Sequence, residues 1–228
     1  MKKVVLGDAN IVLTGGGRVA QGAIEIMDQI KIQAVTSSDF IFQEYHTPVY
    51  TQLHCENLYK SKTGKEFDLE HFFKNPTEYK SRFKKFTEKA DIFISCHYWD
   101  HNADVLFNEK DIQSEKFNLK VIADITCDIK GSIPTTIRPS TIDNPIYGYN
   151  PVTEKEDDYM KDNVIAVMAV DNLPCELPRD ASDFFGNELV TTFFPNLIKD
   201  EINMINGATI TKRGDLNDGF EYLKDYIS

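Results

Sequence analysis

A glycine-rich stretch near the start of the chain restricts its fold more than any other feature of the sequence. Residues 10–23 read NIVLTGGGRVAQGA, an apolar run that meets a glycine cluster and continues as a helical pattern. Gly15, Gly17 and Ala20 fit the G-x-G-x-x-A pattern that joins a strand to a helix in dinucleotide-binding folds. That pattern alone is weakly diagnostic, but here a predicted strand over residues 11–13 precedes it. An amphipathic helical pattern follows it, with apolar positions at Val19, Ala23, Ile26, Met27 and Ile30.

The chemistry of a pyrophosphate explains why these residue types occur together. Unpaired N–H groups and the helix dipole both favour negative charge at the start of a helix. Because glycine has no Cβ, Gly15 and Gly17 would let the phosphates approach the backbone closely. The stretch therefore predicts a pyrophosphate site, and the alternative is a glycine-rich turn that binds no ligand.

Composition limits the class of protein and of partner. The 228 residues suffice for one nucleotide-binding domain, with residues 180–228 expected to form a C-terminal helical extension. The net charge of −11 argues against nucleic acid as the main partner. No apolar run approaches the roughly 20 residues that span a bilayer. The N-terminus turns acidic too early for a signal peptide, so we expect no membrane association and a cytoplasmic location.

The four cysteines show no paired spacing. Cys55, Cys96, Cys127 and Cys175 form no C-x-x-C motif, which favours reduced thiols over disulfides or zinc ligands. A metal site assembled from these cysteines and nearby histidines is the weaker alternative because the ligand spacing is absent. We therefore expect no metal.

Several apolar runs predict buried parallel strands. They cover residues 31–35, 90–96, 120–125 and 164–170, and polar residues follow the last three. Open α/β sheets bind ligands at the carboxyl ends of their strands. We expect a Rossmann-like, doubly wound parallel sheet of about six or seven strands with helices on both faces. The helical segments expected outside the glycine-rich stretch cover residues 68–73, 75–90, 180–207 and 219–227, and residues 40–54 should be largely extended.

The end of the second predicted strand bears on the choice of cofactor. An acid at this position usually holds the adenosine ribose and repels a 2′-phosphate. Here the sequence reads Thr36, Ser37, Ser38 and then Asp39, which lies too late for an ideal acid. No arginine is near to neutralise a 2′-phosphate, so the choice between NAD and NADP stays open.

Three motifs at the strand ends are specific enough to indicate a family. They are YWD at residues 98–100, IADITCD at 122–128 with GSI at 131–133, and DNLPCELPRDAS at 171–182. Together they resemble the lysine-forming saccharopine dehydrogenases and the lysine-ketoglutarate reductase part of bifunctional lysine-degradation enzymes. These enzymes belong to the wider alanine dehydrogenase and transhydrogenase superfamily.

The resemblance implies a cofactor, a reaction and a set of site residues. A nicotinamide dinucleotide would lie in a cleft between two Rossmann-like domains and exchange hydride with saccharopine, the adduct of lysine and 2-oxoglutarate. Asp128 falls where the alanine dehydrogenase branch has an active-site aspartate, although a loop-capping role is equally open. The other implied contacts are Gly15, Gly17, Arg18 and Val19 for the pyrophosphate, Cys96 and Tyr98 for the ribose, and Asp171, Asn172 and Leu173 for the nicotinamide.

The resemblance also implies a missing part. Family enzymes carry an amino-terminal domain with a lysine and a histidine for proton transfer, and residues 1–10 contain no counterpart. We therefore expect dinucleotide binding, with turnover requiring that domain or a partner chain. A non-catalytic regulatory or sensor module is the alternative, and a methyltransferase is a weaker one. An apolar patch left by the missing domain could also support a homodimer.

Overall fold

A computed structural model describes residues 6–199 and 202–226, and the chain divides between Asp171 and Asn172 into two compact units. The strands are β1 Asn10–Thr14, β2 Gln33–Ala34, β3 Val49–Leu53, β4 Tyr59–Ser61, β5 Tyr79–Ser81, β6 Ile92–Ser95, β7 Val121–Asp124, β8 Ile146–Asn150, β9 Lys155–Asp157, β10 Ile165–Met168, β11 Thr211–Lys212 and β12 Asp215–Leu216. The α-helices are α1 Arg18–Gln29, α2 Ser37–Phe42, α3 Cys55–Leu58, α4 Leu69–Lys74, α5 Lys84–Thr87, α6 Glu109–Ile112, α7 Leu173–Glu176, α8 Pro178–Glu188, α9 Phe194–Lys199 and α10 Ile202–Ala208.

The first unit is built on an eight-stranded, mostly parallel sheet. Its strand order is β2-β3-β1-β6-β7-β10-β8-β9, and the strands from β2 to β10 in this order pair in parallel. The predicted Rossmann-like parallel sheet is therefore confirmed. The sheet exceeds the expected six or seven strands because the antiparallel hairpin β8–β9 extends one edge. The β8 sequence, IYGYN, has no apolar run that would have revealed it.

The position of β2 departs from the usual Rossmann strand order. In the usual Rossmann arrangement, the strand that follows the first helix lies beside the first strand. Here β3 pairs with β1, and β2 pairs with β3. The strand end nearest the glycine-rich turn on this side is therefore Leu53, not the end of β2.

Different residues pack on the two faces of the sheet. Alternate residues of β1 point to opposite faces, as the period of a strand requires. Ile11 and Leu13 pack with residues of α1, including Ala20 and Met27. Val12 belongs to a larger aromatic core on the other face, which contains Phe40, Phe83, Phe86, Phe93 and Phe107.

Helix α1 buries a narrower face than its apolar pattern suggested. Met27 is buried, but Val19, Ile26 and Ile30 are each about half exposed, at 50%, 52% and 49%. Ala20, which the amphipathic pattern omitted, is fully buried against Leu13 and Cys96. The small Ala20 side chain allows the helix to approach the sheet closely.

The single helix expected over residues 75–90 is wrong. Residues Pro76–Glu78 form a 3₁₀ turn, β5 pairs antiparallel with β4, and only α5 is helical. Tyr79, Phe83 and Phe86 are nevertheless buried. Their spacing matches a helix, but the pairing of β5 with β4 determines the backbone. Residues 40–54 were expected to be largely extended, but residues 40–42 form the end of helix α2.

The second unit is mainly helical, as the sequence predicted. A π-helical segment, Leu189–Phe193, lies between α8 and α9, and α10 runs to Ala208, one residue past the end expected at residue 207. The final segment, Glu221–Tyr226, is 3₁₀ rather than α-helical, and Ile227 lies outside the described residues. Within the described ranges, no helix has the length and apolar character needed to cross a bilayer.

Candidate functional site

Gly15 closes β1, and the packing of the protein itself requires glycine there. Its φ is +98°, and an added Cβ would lie 2.6 Å from the carbonyl oxygen of Cys96. Its N–H donates to the Leu53 carbonyl over 2.9 Å, and the Gln52 side-chain amide donates to its carbonyl over 2.8 Å. The turn is thus held against the ends of β3 and β6. Gly15 is explained by the fold even without a ligand.

Gly17 has no such explanation within the fold. It is the N-cap of α1 with φ −88°, a conformation open to any residue, and an added Cβ would meet nothing within 4 Å. The first helical hydrogen bond is donated by Gln21 to the Gly17 carbonyl over 3.1 Å, so the earlier N–H groups lack helical acceptors. Arg18 and Val19 are exposed beside them. The open space and these donors suit an anion.

His54, which no motif in the sequence indicated, lies beside the turn. An added Cβ on Gly16 would lie 2.9 Å from His54 Nδ1. His54 begins α3, where Asn57 accepts a hydrogen bond from its N–H over 3.0 Å. Asn57 also donates to Ser37 Oγ over 3.4 Å. Of the predicted ribose residues, Ser37 is therefore linked to His54 through Asn57.

The other residues predicted after β2 have local partners. Thr36 is the N-cap of α2 and accepts a hydrogen bond from the Asp39 N–H over 3.1 Å. Its hydroxyl donates to the Asp39 carboxylate over 2.8 Å. Ser38 is exposed on the first turn of α2. The topology puts β3 between these residues and β1, and the sequence did not reveal that strand order.

A cavity of about 600 Å³ opens at the carboxyl ends of β6 and β7. Tyr98 and Asp128, both predicted site residues, lie on its wall. It is lined by His97, Tyr98, Trp99, His101, Thr126, Asp128, Ile129, Lys130 and Gly131. The pKa of Asp128 is raised above its usual value, mainly by burial and to a smaller extent by the negative charge of Asp124. Asp128 is therefore a group that holds a proton at higher pH than an ordinary aspartate.

The loop that carries Asp128 is held in place from below by Asp124. This carboxylate is 1% exposed at the end of β7 and accepts hydrogen bonds from the Thr126 N–H over 3.1 Å and the Thr136 hydroxyl over 2.6 Å. The Cys127 thiol donates to the Ala169 carbonyl over 3.0 Å, which ties the loop to the residue after β10. These contacts fix the wall of the cavity.

His97 also lines the cavity, although no motif in the sequence indicated it. It is 8% exposed, and its ring joins three segments: Nδ1 lies 2.7 Å from Thr14 Oγ1 of β1, and Nε2 lies 3.2 Å from Ser132 Oγ. Burial lowers the pKa of His97 to about 4, against the opposing charge of Asp124. The ring is therefore neutral at physiological pH and acts as a hydrogen-bonded bridge under the cavity.

A second cavity, of about 230 Å³, lies nearer β3 and is mostly apolar. Tyr98 and Trp99 line both this cavity and the larger one. Its remaining wall includes Cys55, Leu58, Tyr59, Phe72, Phe73 and Pro76. The carboxyl edge of the sheet thus has a polar cavity and an apolar cavity with a common aromatic border.

The remaining predicted residues have different positions. Cys96 is 8% exposed and packs with Leu13 and Ala20, and burial first, with Asp124 second, raises the pKa of its thiol to about 11. Asp171 is exposed after β10, on the same carboxyl edge as Asp128, and its charge contributes to a raised pKa of Cys127, after burial and Asp124.

Asn172 and Leu173 belong to the second unit, where Asn172 has φ +46° and begins α7. All four cysteines have free thiols. Across residues 6–199 and 202–226, no group of three or more His, Cys, Asp or Glu side chains is arranged to hold a metal ion. The candidate site is therefore built from the first unit, at the carboxyl ends of its strands.

Comparisons with known proteins agree with this architecture. The family model described as alanine dehydrogenase/PNT, C-terminal domain, matches residues 2–216. The chain is 30% identical over 240 residues to an alpha-aminoadipic semialdehyde synthase of Arabidopsis thaliana, covering 93% of this chain and 22% of that protein. The mitochondrial alpha-aminoadipic semialdehyde synthase of Mus musculus is 25% identical over 254 residues, covering 96% and 27%.

A third relative matches over a shorter segment of the chain. The saccharopine dehydrogenase [NAD(+), L-lysine-forming] of Emericella nidulans is 29% identical over 124 residues, covering 53% of this chain and 31% of that protein. The matched segments thus span 22% to 31% of the length of these curated relatives.

The His97 bridge predicts a loss of stability in acid. Its pKa is about 4 in the folded protein and 6.5 in an ordinary histidine, so the unfolded chain binds the proton more readily. The stabilisation that depends on a neutral His97 is complete above pH 6.5. The free energy of unfolding then falls by about 3 kcal/mol as the pH decreases towards 4. Urea unfolding between pH 4 and 7 should show this loss. The slope of the unfolding free energy against pH should be smaller in His97→Gln. It should be unchanged in His46→Gln, the control at an exposed histidine.

Proposed function

We propose that this chain, which belongs to the alanine dehydrogenase/PNT C-terminal domain family, binds a nicotinamide dinucleotide at its glycine-rich turn. The observation that carries the proposal is the unobstructed space at Gly17, where nothing in the protein demands a glycine. A pyrophosphate there would accept hydrogen bonds from N–H groups at the start of α1, near Arg18 and Val19. The residues present therefore fit the phosphates of NAD or NADP.

The two cavities support a direction for the bound molecule. In Rossmann folds the dinucleotide crosses the carboxyl edge of the sheet at the first strand. We infer that the nicotinamide half lies over the polar cavity of Tyr98 and Asp128, and that the adenosine half extends towards the end of β3. Cys96 and Tyr98 would border the ribose on this side, and Asp171 would lie near the nicotinamide, with Asn172 and Leu173 following in the chain.

The adenosine ribose has two candidate sets of contacts. His54 lies against the turn and would contact the ribose directly, with Asn57 and Ser37 behind it. Thr36 and Ser38 would contribute only if the ribose reached past β3. None of these five side chains is a carboxylate that would repel a 2′-phosphate. We therefore propose that the site accepts either NAD or NADP.

We further propose that the chain is the cofactor-binding part of a saccharopine dehydrogenase-like oxidoreductase. The bound nicotinamide would supply or accept the hydride at the carbon–nitrogen bond of saccharopine. Asp128 would hold or release a proton at the cavity wall, because its raised pKa favours the protonated form more than an ordinary aspartate does. The hydroxyls and carboxylate around the loop would keep that side chain in position.

Turnover in this proposal requires a second domain. The chain spans 22% of the Arabidopsis relative and 27% of the mouse relative, both of which are much longer. A cavity that is open on one side leaves water in contact with the reacting groups. The proposed partner is therefore an amino-terminal catalytic domain, either on the same protein or on another chain.

A regulatory or sensor module is the second candidate function. The observation that favours it is the chemistry of the polar cavity, in which Asp128 is exposed and the buried His97 is neutral and fully engaged in hydrogen bonds. Such a site can bind a dinucleotide without providing an acid and base pair. A homodimer and a cytoplasmic location remain predictions, and the mouse relative is named as mitochondrial.

The fit of Gly17 to a pyrophosphate can be tested by adding a side chain. We expect Gly17→Val to weaken NADH and NADPH binding more than about tenfold, with a change in unfolding free energy below about 1 kcal/mol. Gly22→Ala is the matched control, since an added Cβ there also meets nothing within 4 Å. It should stabilise α1 by about 0.5–1 kcal/mol and leave affinity unchanged. Affinity is measured by calorimetric titration with NADH, with NADPH and with S-adenosylmethionine, the ligand of the methyltransferase alternative. If neither dinucleotide binds, the proposal is contradicted.

The catalytic proposal can be tested separately by reconstitution. The chain is mixed with an amino-terminal domain from a saccharopine dehydrogenase, and oxidation of NADH or NADPH is followed by absorbance with lysine and 2-oxoglutarate. We expect turnover only in the mixture, and Asp128→Asn should lower kcat by at least about tenfold. Binding of the dinucleotide without turnover in any such mixture would favour the sensor module.

A further inference from the structure

Three buried side chains connect the glycine-rich turn to the wall of the polar cavity. Thr14 is the last residue of β1 and directly precedes the turn, and Ser132 directly follows Gly131 of the cavity wall. His97 lies between them, with Nδ1 2.7 Å from Thr14 Oγ1 and Nε2 3.2 Å from Ser132 Oγ. Thr14 and Ser132 are 0% and 1% exposed, so the connection is shielded from solvent.

The partners of the Thr14 hydroxyl determine which ring nitrogen of His97 carries the proton. The Cys96 N–H donates to Thr14 Oγ1 over 3.4 Å, so this oxygen already accepts a hydrogen bond. Within the part of the chain that the structure describes, the hydroxyl proton of Thr14 has His97 Nδ1 as its one acceptor. Ser95 Oγ lies 3.4 Å from the same nitrogen and can also donate to it. A neutral ring that accepts at Nδ1 carries its proton on Nε2 and donates it to Ser132.

The opposite tautomer leaves a buried hydroxyl proton without an acceptor. If Nδ1 carried the proton, Thr14 Oγ1 would accept hydrogen bonds from both the ring and the Cys96 N–H. The hydroxyl proton of Thr14 would then point at no acceptor in residues 6–199 and 202–226. Because an unsatisfied polar group is costly in a fully buried position, the Nε2–H tautomer is favoured.

The segment that carries Asp128 is strained and is held at both ends. Cys127 and Lys130 both have φ +53°, a left-handed conformation that is costly for residues with a side chain. The Gly131 N–H donates to the Asp128 carbonyl over 2.9 Å, and an added Cβ on Gly131 would lie 2.6 Å from Asp128 Cβ. The carboxylate at the end of β7 holds the start of the segment, and the ring of His97 holds the residue after its end.

We propose that His97, as its Nε2–H tautomer, is a positioning residue that couples a diphosphate at the glycine-rich turn to the position of Asp128. Such coupling rests on the proposed function, in which the turn binds the dinucleotide. A diphosphate that orders the backbone after Thr14 also orders the Thr14 hydroxyl, and the ring transmits this constraint to Ser132. The coupling is reciprocal, so loss of the hydrogen bonds of the ring weakens diphosphate binding.

ADP separates this coupling from direct contact with the ligand. It carries the diphosphate and the adenosine, but it lacks the nicotinamide half that would lie over Asp128. In the ¹⁵N-labelled chain, we expect saturating ADP to shift the amide signals of residues 16–20, and also those of Ser132 and Asp128. A long-range ¹H–¹⁵N spectrum should show the ring proton of His97 on Nε2. Shifts confined to residues 16–20, or a ring proton on Nδ1, would overturn the proposal.

Two substitutions of Thr14 distinguish hydrogen bonding from packing. Thr14→Val keeps a similar shape and removes the hydroxyl, whereas Thr14→Ser keeps the hydroxyl and removes a methyl group. We expect Thr14→Val to abolish the ADP-induced shifts at Ser132 and Asp128 and to weaken ADP binding about fivefold. The shifts at residues 16–20 should remain in this variant, and Thr14→Ser should retain every shift. Remote shifts that persist in Thr14→Val, or that are lost in Thr14→Ser, would contradict the coupling.

The matched control removes another buried threonine hydroxyl. Thr87 is 1% exposed, and its hydroxyl donates to the Lys84 carbonyl over 2.8 Å within α5. Thr87→Val should leave the ADP-induced shifts at Ser132 and Asp128 unchanged. An equal loss in this variant would show a general effect of stability and would contradict the proposal.

A parallel titration with NADH separates failure of the coupling from failure of the proposed function. If NADH binds but ADP does not, or if ADP binds without the remote shifts, the coupling alone is contradicted. If NADH also fails to bind, the proposed function is contradicted together with the coupling.

Discussion

The parallel pairing of β1 with β3 on one side and β6 on the other is the constraint on which the candidate site depends. It brings the ends of three strands to one edge, where Gly15 fits under the Cys96 carbonyl only because it lacks a Cβ. That contact directs the chain into α1 with its first N–H groups exposed. The cavities, the His97 bridge and the loop of Asp128 all lie along the same edge.

Local patterns in the sequence were sufficient for much of this architecture. The glycine-rich turn, α1 and the central parallel strands follow from apolar runs and turn residues that lie close together in the chain. The order of β2 and β3 could not be predicted, because strand pairing joins distant residues and β2 pairs over only two positions. The false helix over residues 75–90 has the same origin, since β5 is stabilised by pairing with β4.

The site was predicted unevenly for a related reason. Tyr98 and Asp128 follow predicted strands, and the cavity at the carboxyl edge includes both. His97 was missed because a single histidine after a strand carries no signal of its own, and its partners Thr14 and Ser132 are remote in sequence. His54 was missed because its position depends on the strand order. Gly15 and Gly17 look alike in sequence, yet the first serves the fold and the second leaves space for a ligand.

The most direct test of the central claim is an amide NMR titration of the ¹⁵N-labelled chain with NADH and with NADPH. If a diphosphate is bound by the backbone where β1 passes into α1, the largest shifts will occur at the amides of residues 16–20. Smaller shifts should follow at Tyr98 and Asp128. Saturable binding with no shift at residues 16–20, or no binding of either dinucleotide, would contradict the account.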